Sequence, residues 1–124
     1  MHIVRAYDDD LKFLSGRIAA MGGLAERLVE QSVAALVGND AAMAAKVVAD
    51  DDLLDAAQRE IDDKAISVIA RRQPLADDLR EVIGAMRIAA DLERVGDLGK
   101  NIGKRVVAVT ASRQPVRLFR GLEA

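Results

Sequence analysis

The sequence predicts an all-α fold, an up-down-up antiparallel three-helix bundle, on three observations. Hydrophobic residues make up 51% of the chain, yet only Tyr7, Phe13 and Phe119 are aromatic. A core of Ala, Val, Leu, Ile and Met suits helix-on-helix packing better than a β-sandwich. Apolar residues recur in alternating steps of three and four, the period of a helix face. Two strong interruptions, Gly38-Asn39-Asp40 and Gln73-Pro74, divide that pattern into three long segments.

The first helix is expected from about Asp8 to Val37, with a seam of Leu11, Leu14, Ile18, Met21, Ala25, Leu28, Ser32 and Ala35. Gly38 suits a left-handed helix end, and Asn39 or Asp40 suits the start of the next helix. The second helix follows from about Asp40 to Arg72, its seam including Met43, Val47, Leu54, Ile61, Ala65 and Val68. Gln73-Pro74 stops it, because proline disfavours helical geometry in the residue before it. The third helix begins near Pro74 or Leu75 and continues to about Ala111. Short connections make sequential neighbours antiparallel. Helices of about 30 residues give rods of about 45 Å at roughly 1.5 Å per residue. Residues 1–112 thus form one bundle, and 113–124, basic and containing Pro115, read as a linker or the start of a second repeat cut short.

Composition narrows the function. Twenty acidic and 18 basic residues leave a net charge of −2, so the chain as a whole does not attract nucleic acid or anionic lipid. Cysteine is absent, which excludes disulfides, thiolate metal sites and a cysteine nucleophile, and fits a cytoplasmic location. No apolar run is long enough to insert into a membrane, and the first ten residues lack the apolar stretch of a signal peptide. The serines have no histidine partner for a triad, since the only histidine is His2, near the terminus. Its position also argues against a di-iron oxidase, which would need Glu-x-x-His pairs inside the bundle. Gly99-Lys100-Asn101-Ile102-Gly103-Lys104-Arg105 has the glycines and lysine of a phosphate-binding loop, but its spacing is one residue short and it sits inside a helix. These exclusions favour a protein that is not an enzyme.

The third helix carries the distinctive chemistry. Leu79, Ile83, Met86, Ala90, Glu93, Asp97 and Asn101 follow one face, so an apolar stripe becomes polar along its length. Glu93 and Asp97 stack four residues apart and repel unless water or a cation intervenes. With the turn centred near Pro74, Asp97 lies level with Asp51 and Glu93 with Asp55, giving four carboxylates at one height. An oxygen-only set suits a divalent or trivalent cation such as Mg²⁺, Ca²⁺ or Mn²⁺, with multinuclear Fe and Zn as further candidates. The plainer alternative is four solvated acids in an acid-rich chain. A second apolar stripe, Ile88, Leu92, Val95, Gly99, Ile102, Val106 and Val109, is either core or a docking surface. Gly96, Gly99 and Gly103 mark either a close helix approach or a frayed end, because a helical glycine otherwise costs about 1 kcal/mol against alanine.

Two segments carry a resemblance. Arg72-Gln73-Pro74-Leu75-Ala76-Asp77-Asp78-Leu79-Arg80 is followed by Asp91-Leu92-Glu93-Arg94-Val95-Gly96-Asp97-Leu98-Gly99-Lys100-Asn101-Ile102. Together they resemble the RQPxAxDLR and DLERxGDxAxNI blocks of the PhoU family. Met21-Gly22-Gly23, Glu26 and the region of Asp51 extend the likeness to about residues 3–110. The resemblance implies a three-helix repeat, normally present twice, with metal bound at the Glu93 and Asp97 motif. Asp51 matches an acidic position of the family, whereas Asp55 falls where Asn is frequent and Gln58 where an acid is common. It implies a negative regulator of phosphate signalling, an adaptor between the phosphate-specific ABC transporter and a sensor histidine kinase. With one repeat visible, the chain is expected to be a piece of a longer protein or a single-repeat variant that forms a homodimer.

Overall fold

Two tight turns fold three long helices back on one another: α1 spans His2–Gly38, α2 Ala41–Arg72 and α3 Ala76–Ala111. The computed structural model describes residues 2–112, with side chains from residue 5 onward, so the expected linker at 113–124 lies outside the described residues. The helices are 37, 32 and 36 residues long, rods of about 48–56 Å at the usual helical rise. Each packs on both of the others. This is the expected up-down-up bundle.

The first turn is a Schellman cap. The Asp40 N–H donates to the Ala35 carbonyl at 2.9 Å and the Asn39 N–H to the Leu36 carbonyl at 3.4 Å. Asn39 takes the left-handed conformation, with φ 51°, whereas Gly38 remains helical. The expectation for Gly38 is corrected by one residue; a short polar side chain lets asparagine serve there. Asp40 then caps α2, its carboxylate accepting from the Met43 N–H at 3.0 Å. At the second turn Gln73 is left-handed, φ 48°, and its N–H donates to the Ile69 carbonyl at 3.1 Å. Pro74 prevents continuation, and α3 starts at Ala76 with Asp77 and Asp78 facing its positive dipole end. The Tyr7 hydroxyl donates to the Asp78 carbonyl at 2.9 Å, tying the start of α1 to the start of α3. The first helix also begins earlier than expected, at His2 and not near Asp8.

The core follows a seven-residue repeat in every helix. In α1 it buries Leu14, Met21, Ala25, Leu28, Ser32 and Ala35, with Leu11 and Ile18 half-buried against the same cluster. In α2 it buries Ala44, Val47, Asp51, Leu54, Ile61, Ala65 and Val68. In α3 the buried line is Val82, Ala85, Ala89, Gly96, Gly99, Gly103 and Val106, with Leu92 half-buried between. The α3 seam therefore runs between the two stripes read from sequence. Leu79, Ile83, Met86, Ala90, Glu93 and Asp97 flank it, half-buried, one residue further round. The displacement has a simple cause: small residues face the core because they admit the neighbouring backbones, and bulky ones fill the flanks.

The second stripe is divided by this arrangement. Gly99 and Val106 belong to the core, Leu92 and Ile102 pack against it, and Ile88, Val95 and Val109 stay exposed. The glycines are close-approach positions. A Cβ on Gly99 would stand 3.2 Å from the Leu28 carbonyl oxygen of α1, and one on Gly103 would stand 3.0 Å from the Ala44 carbonyl oxygen of α2.

Gly84 meets nothing within 4 Å of an added Cβ. Gly84→Ala should therefore stabilise the bundle by about 0.5–1 kcal/mol through helix propensity alone. Gly103→Ala should destabilise it by about 1–3 kcal/mol, because a backbone carbonyl cannot rotate out of the way. Urea unfolding followed by circular dichroism checks both signs, and equal effects at the two positions would contradict the close contact.

Candidate functional site

Two aspartates are buried in this bundle, and their surroundings are opposite. Asp10, on α1, meets Lys64 Nζ at 2.9 Å and Arg72 Nε at 3.2 Å, both from α2. Burial alone would raise its pKa, but the hydrogen bonds and charges of Lys64 and Arg72 outweigh that and hold it below the ordinary aspartate range. Lys64 and Arg17 also lie over the Phe13 ring, at 5.1 and 5.0 Å from its centre. Asp10 is thus a satisfied cross-link.

Asp51 is not satisfied. It is 1% exposed, on the core seam of α2 between Val47 and Leu54. Among the described residues its Oδ1 has no hydrogen-bond partner, and its Oδ2 meets a single cation, Lys100 Nζ of α3, at 3.4 Å. That is longer than the about 2.7–2.9 Å of a well-formed charge-assisted hydrogen bond. Burial pushes the Asp51 carboxyl above its ordinary range; Lys100 pulls it down, and the charges of Asp55 and Asp97 add to the rise. Glu93 is raised as well, first by burial, then by the charges of Asp97, Asp55 and Asp51 and a hydrogen bond with Asp55. Lys100 is held protonated by its contact with Asp51.

The register expected across the Pro74 turn is the one observed. Gly96 stands against Asp51 and Leu54, and Gly103 against Ala44, Val47 and Val48. Glu93, Asp97 and Lys100 lie on the α3 flank beside Gly96, and Asp51 and Asp55 face them from α2. The absence of a side chain at Gly96 makes room for Leu54, with which a Cβ would collide, while Asp51 Oδ1 would stand in ordinary contact with it at 3.4 Å. Among the described residues, no three His, Cys, Asp or Glu side chains form a ready ligand set for a metal ion. The four carboxylates are therefore electrostatic neighbours along a groove, not a preformed cage. A cavity of about 590 Å³ lies elsewhere, at the α2–α3 turn beside Tyr7, Arg72 and Pro74.

Sequence reasoning did not find Lys100 or the Asp10 cross-link. A signal existed for Asp10, which is four residues before Leu14 and so falls on the α1 seam. Lys100 stands three residues after Asp97, within reach of the same face.

Comparison with known proteins is decisive on family. Residues 18–106 match the PhoU domain. The chain belongs to the PhoU family. It is 61% identical over 122 residues to a Rhizobium meliloti protein named as a phosphate-specific transport system accessory protein PhoU homolog, covering 98% of this chain and 52% of that one. A Caulobacter vibrioides protein of the same name is 43% identical over the same length, with 53% of it covered. The crystal structure of PhoU from Pseudomonas aeruginosa superposes with a TM-score of 0.82 at 34% identity, covering 86% of this chain and 51% of that one. The chain therefore spans about half the length of these PhoU relatives. Asp51, Asp55, Glu93, Asp97 and Lys100 all fall within the PhoU-matched span, and Asp10 lies before it. None of the described helices is long and apolar enough to cross a membrane.

The two buried aspartates should respond oppositely to the isosteric amide. Asp10→Asn should cost about 1.5–3 kcal/mol near neutral pH, the range for a hydrogen bond to a charged group. Because the folded state depresses the Asp10 pKa, that stabilisation is present above the ordinary aspartate pKa and is lost as pH falls through the depressed value. Asp51→Asn should be neutral or stabilising by about 1 kcal/mol at neutral pH, since it removes a poorly paired buried charge. The folded Asp51 pKa is raised, so the wild type loses stability as pH rises through it, and the advantage of the amide should vanish at acid pH. Chemical denaturation at several pH values measures both; an Asp51→Asn penalty as large as that of Asp10→Asn would make Asp51 a structural ion pair.

Proposed function

We propose that this chain is a non-enzymatic, cytoplasmic regulator of phosphate uptake and of phosphate-responsive signalling. In this reading it is an adaptor between the ATPase of a phosphate-specific ABC transporter and a sensor histidine kinase, and it acts as a negative regulator. Support for the phosphate role is the 61% identity to a phosphate-specific transport system accessory protein across 98% of the chain. The reading further assigns a cation to Asp51, Asp55, Glu93 and Asp97. The observation that carries this assignment is the Asp51 carboxyl, buried with Oδ1 unpartnered and three more acids beside it.

The chemistry of the donors suits a hard cation. All donors are carboxylate oxygens, and the charge of the groove exceeds what Lys100 neutralises. A bound ion would supply positive charge at the junction of α2 and α3, and the helices would keep Asp51 and Asp55 opposite Glu93 and Asp97. A second reading is a helical interaction module without metal. It is favoured by the lack of a ready ligand set among the described residues.

Equilibrium dialysis against Mn²⁺ with metal analysis, run alongside capture of the purified transporter ATPase, separates the two. The wild type should retain Mn²⁺ and capture the ATPase, and Glu93→Ala/Asp97→Ala should lose at least about tenfold in Mn²⁺ affinity. Capture without any retained metal would favour the interaction module, and loss of both would remove the adaptor role.

The same reading includes a homodimer, because exposed apolar surface on one repeat invites a second copy. Ile88 and Val95 remain as its centre, at 48% and 39% exposed, joined by Leu98 at 62%. Sedimentation equilibrium should show a dimer that Val95→Asp weakens while helicity is retained. A wild type that stays monomeric at high concentration would remove the dimer.

A further inference from the structure

We propose that Lys100 is a resident counter-cation of the acidic groove, and that a divalent cation enters only by displacing its ammonium group from Asp51. This rests on the cation reading above and adds the event that gates it.

Lys100 is the one basic side chain paired with Asp51 among the described residues. It is carried by the same helix as Glu93 and Asp97, four residues beyond Gly96, the position against which Asp51 packs. The helix thus places a tethered positive charge beside the acids it would have to leave. Its grip is partial. The ammonium stands 3.4 Å from Oδ2 and leaves Oδ1 without a partner, whereas the Lys64 ammonium reaches Asp10 at 2.9 Å and shares that carboxylate with Arg72. One buried aspartate is closed by its cations, and the other is only held.

A hard divalent ion binds carboxylate oxygens at about 2.0–2.6 Å and can take both oxygens of one carboxylate. It would satisfy the oxygen that Lys100 leaves bare. It cannot share the groove with the ammonium, because two cations a few ångströms apart repel strongly where solvent is partly excluded. Lys100 can leave: its side chain is 29% exposed, on a flexible stem that ends near water. The exchange also explains why the carboxylates lie close without forming a ligand set. In the latched state Asp51 faces Lys100, and its release would free Asp51 to turn towards Glu93, Asp97 and Asp55.

The test compares the wild type with Lys100→Met, which keeps the stem and removes the charge, and Lys100→Arg, which keeps the charge. Mn²⁺ is the probe, titrated calorimetrically, with thermal melts in EDTA and in saturating Mn²⁺. Lys100→Met should bind Mn²⁺ about tenfold or more tightly than the wild type, and Lys100→Arg within about threefold of it. In EDTA, Lys100→Met should melt below the wild type, and Mn²⁺ should raise its melting temperature by the larger amount. Should Lys100→Met fail to fold without metal, Lys100→Gln serves the same comparison. A wild type that binds Mn²⁺ no more weakly than a folded, uncharged variant overturns the latch and leaves the cation reading standing. No Mn²⁺ binding by either protein overturns both.

Discussion

Gly103 brings α3 against the Ala44 carbonyl and Gly99 brings it against the Leu28 carbonyl, so α3 is held to both other helices by backbone contact. The rest of the molecule depends on that proximity. Helices this close leave little room at their points of contact, and so Ala85, Ala89 and the three glycines occupy much of the α3 seam, with Val82 and Val106 near its ends, while Ile83, Met86 and Leu79 lie on the flanks. The same proximity moves Glu93 and Asp97 off the core line and onto the flank that faces α2. It also seats Leu54: with an ordinary residue at Gly96 the Leu54 side chain would have to shift, while Asp51 Oδ1 would stand in ordinary contact at 3.4 Å.

Burial acts on the two aspartates alike, and their partners make them different. Asp10 has two cations for one carboxylate, so its charge is stabilised by the fold and in turn joins α1 to α2. Asp51 has one distant cation and three acidic neighbours, so the fold disfavours its charge. A buried charge with incomplete pairing is a cost to stability. Proteins tend to keep such a cost where a ligand or a switch uses it. That contrast within one small bundle is a stronger pointer to a ligand at Asp51 than the number of acids in the chain, because Asp10 shows how the same fold treats an aspartate that is purely structural.

The reading of function as phosphate regulation and the reading of the groove as a cation site rest on different supports. Family membership covers nearly the whole chain and about half of each relative. The groove is local to α2 and α3. Asp51, Asp55, Glu93 and Asp97 are carried by two helices joined by a three-residue turn, and their placement needs only the register of that hairpin.

By itself the sequence determined the helices, their two turns, the antiparallel order and the level of Asp51 with Asp97, because periodicity and helix-ending residues act locally and a short turn leaves the register little freedom. It also carried the family blocks around Gln73-Pro74 and Glu93-x-x-x-Asp97. Tertiary structure decided which of two neighbouring α3 faces is core, since hydrophobic periodicity weights Leu, Ile and Met above the glycines that allow backbones to meet. It decided that Asn39, not Gly38, takes the left-handed turn. It decided that Gly99 and Val106 are core while Ile88 and Val95 stay exposed. Above all it decided the pairing of charges. Whether Asp10 meets two cations and Asp51, among the described residues, only Lys100 depends on which side chains the neighbouring helices bring to each carboxylate, and no spacing along a single helix encodes that.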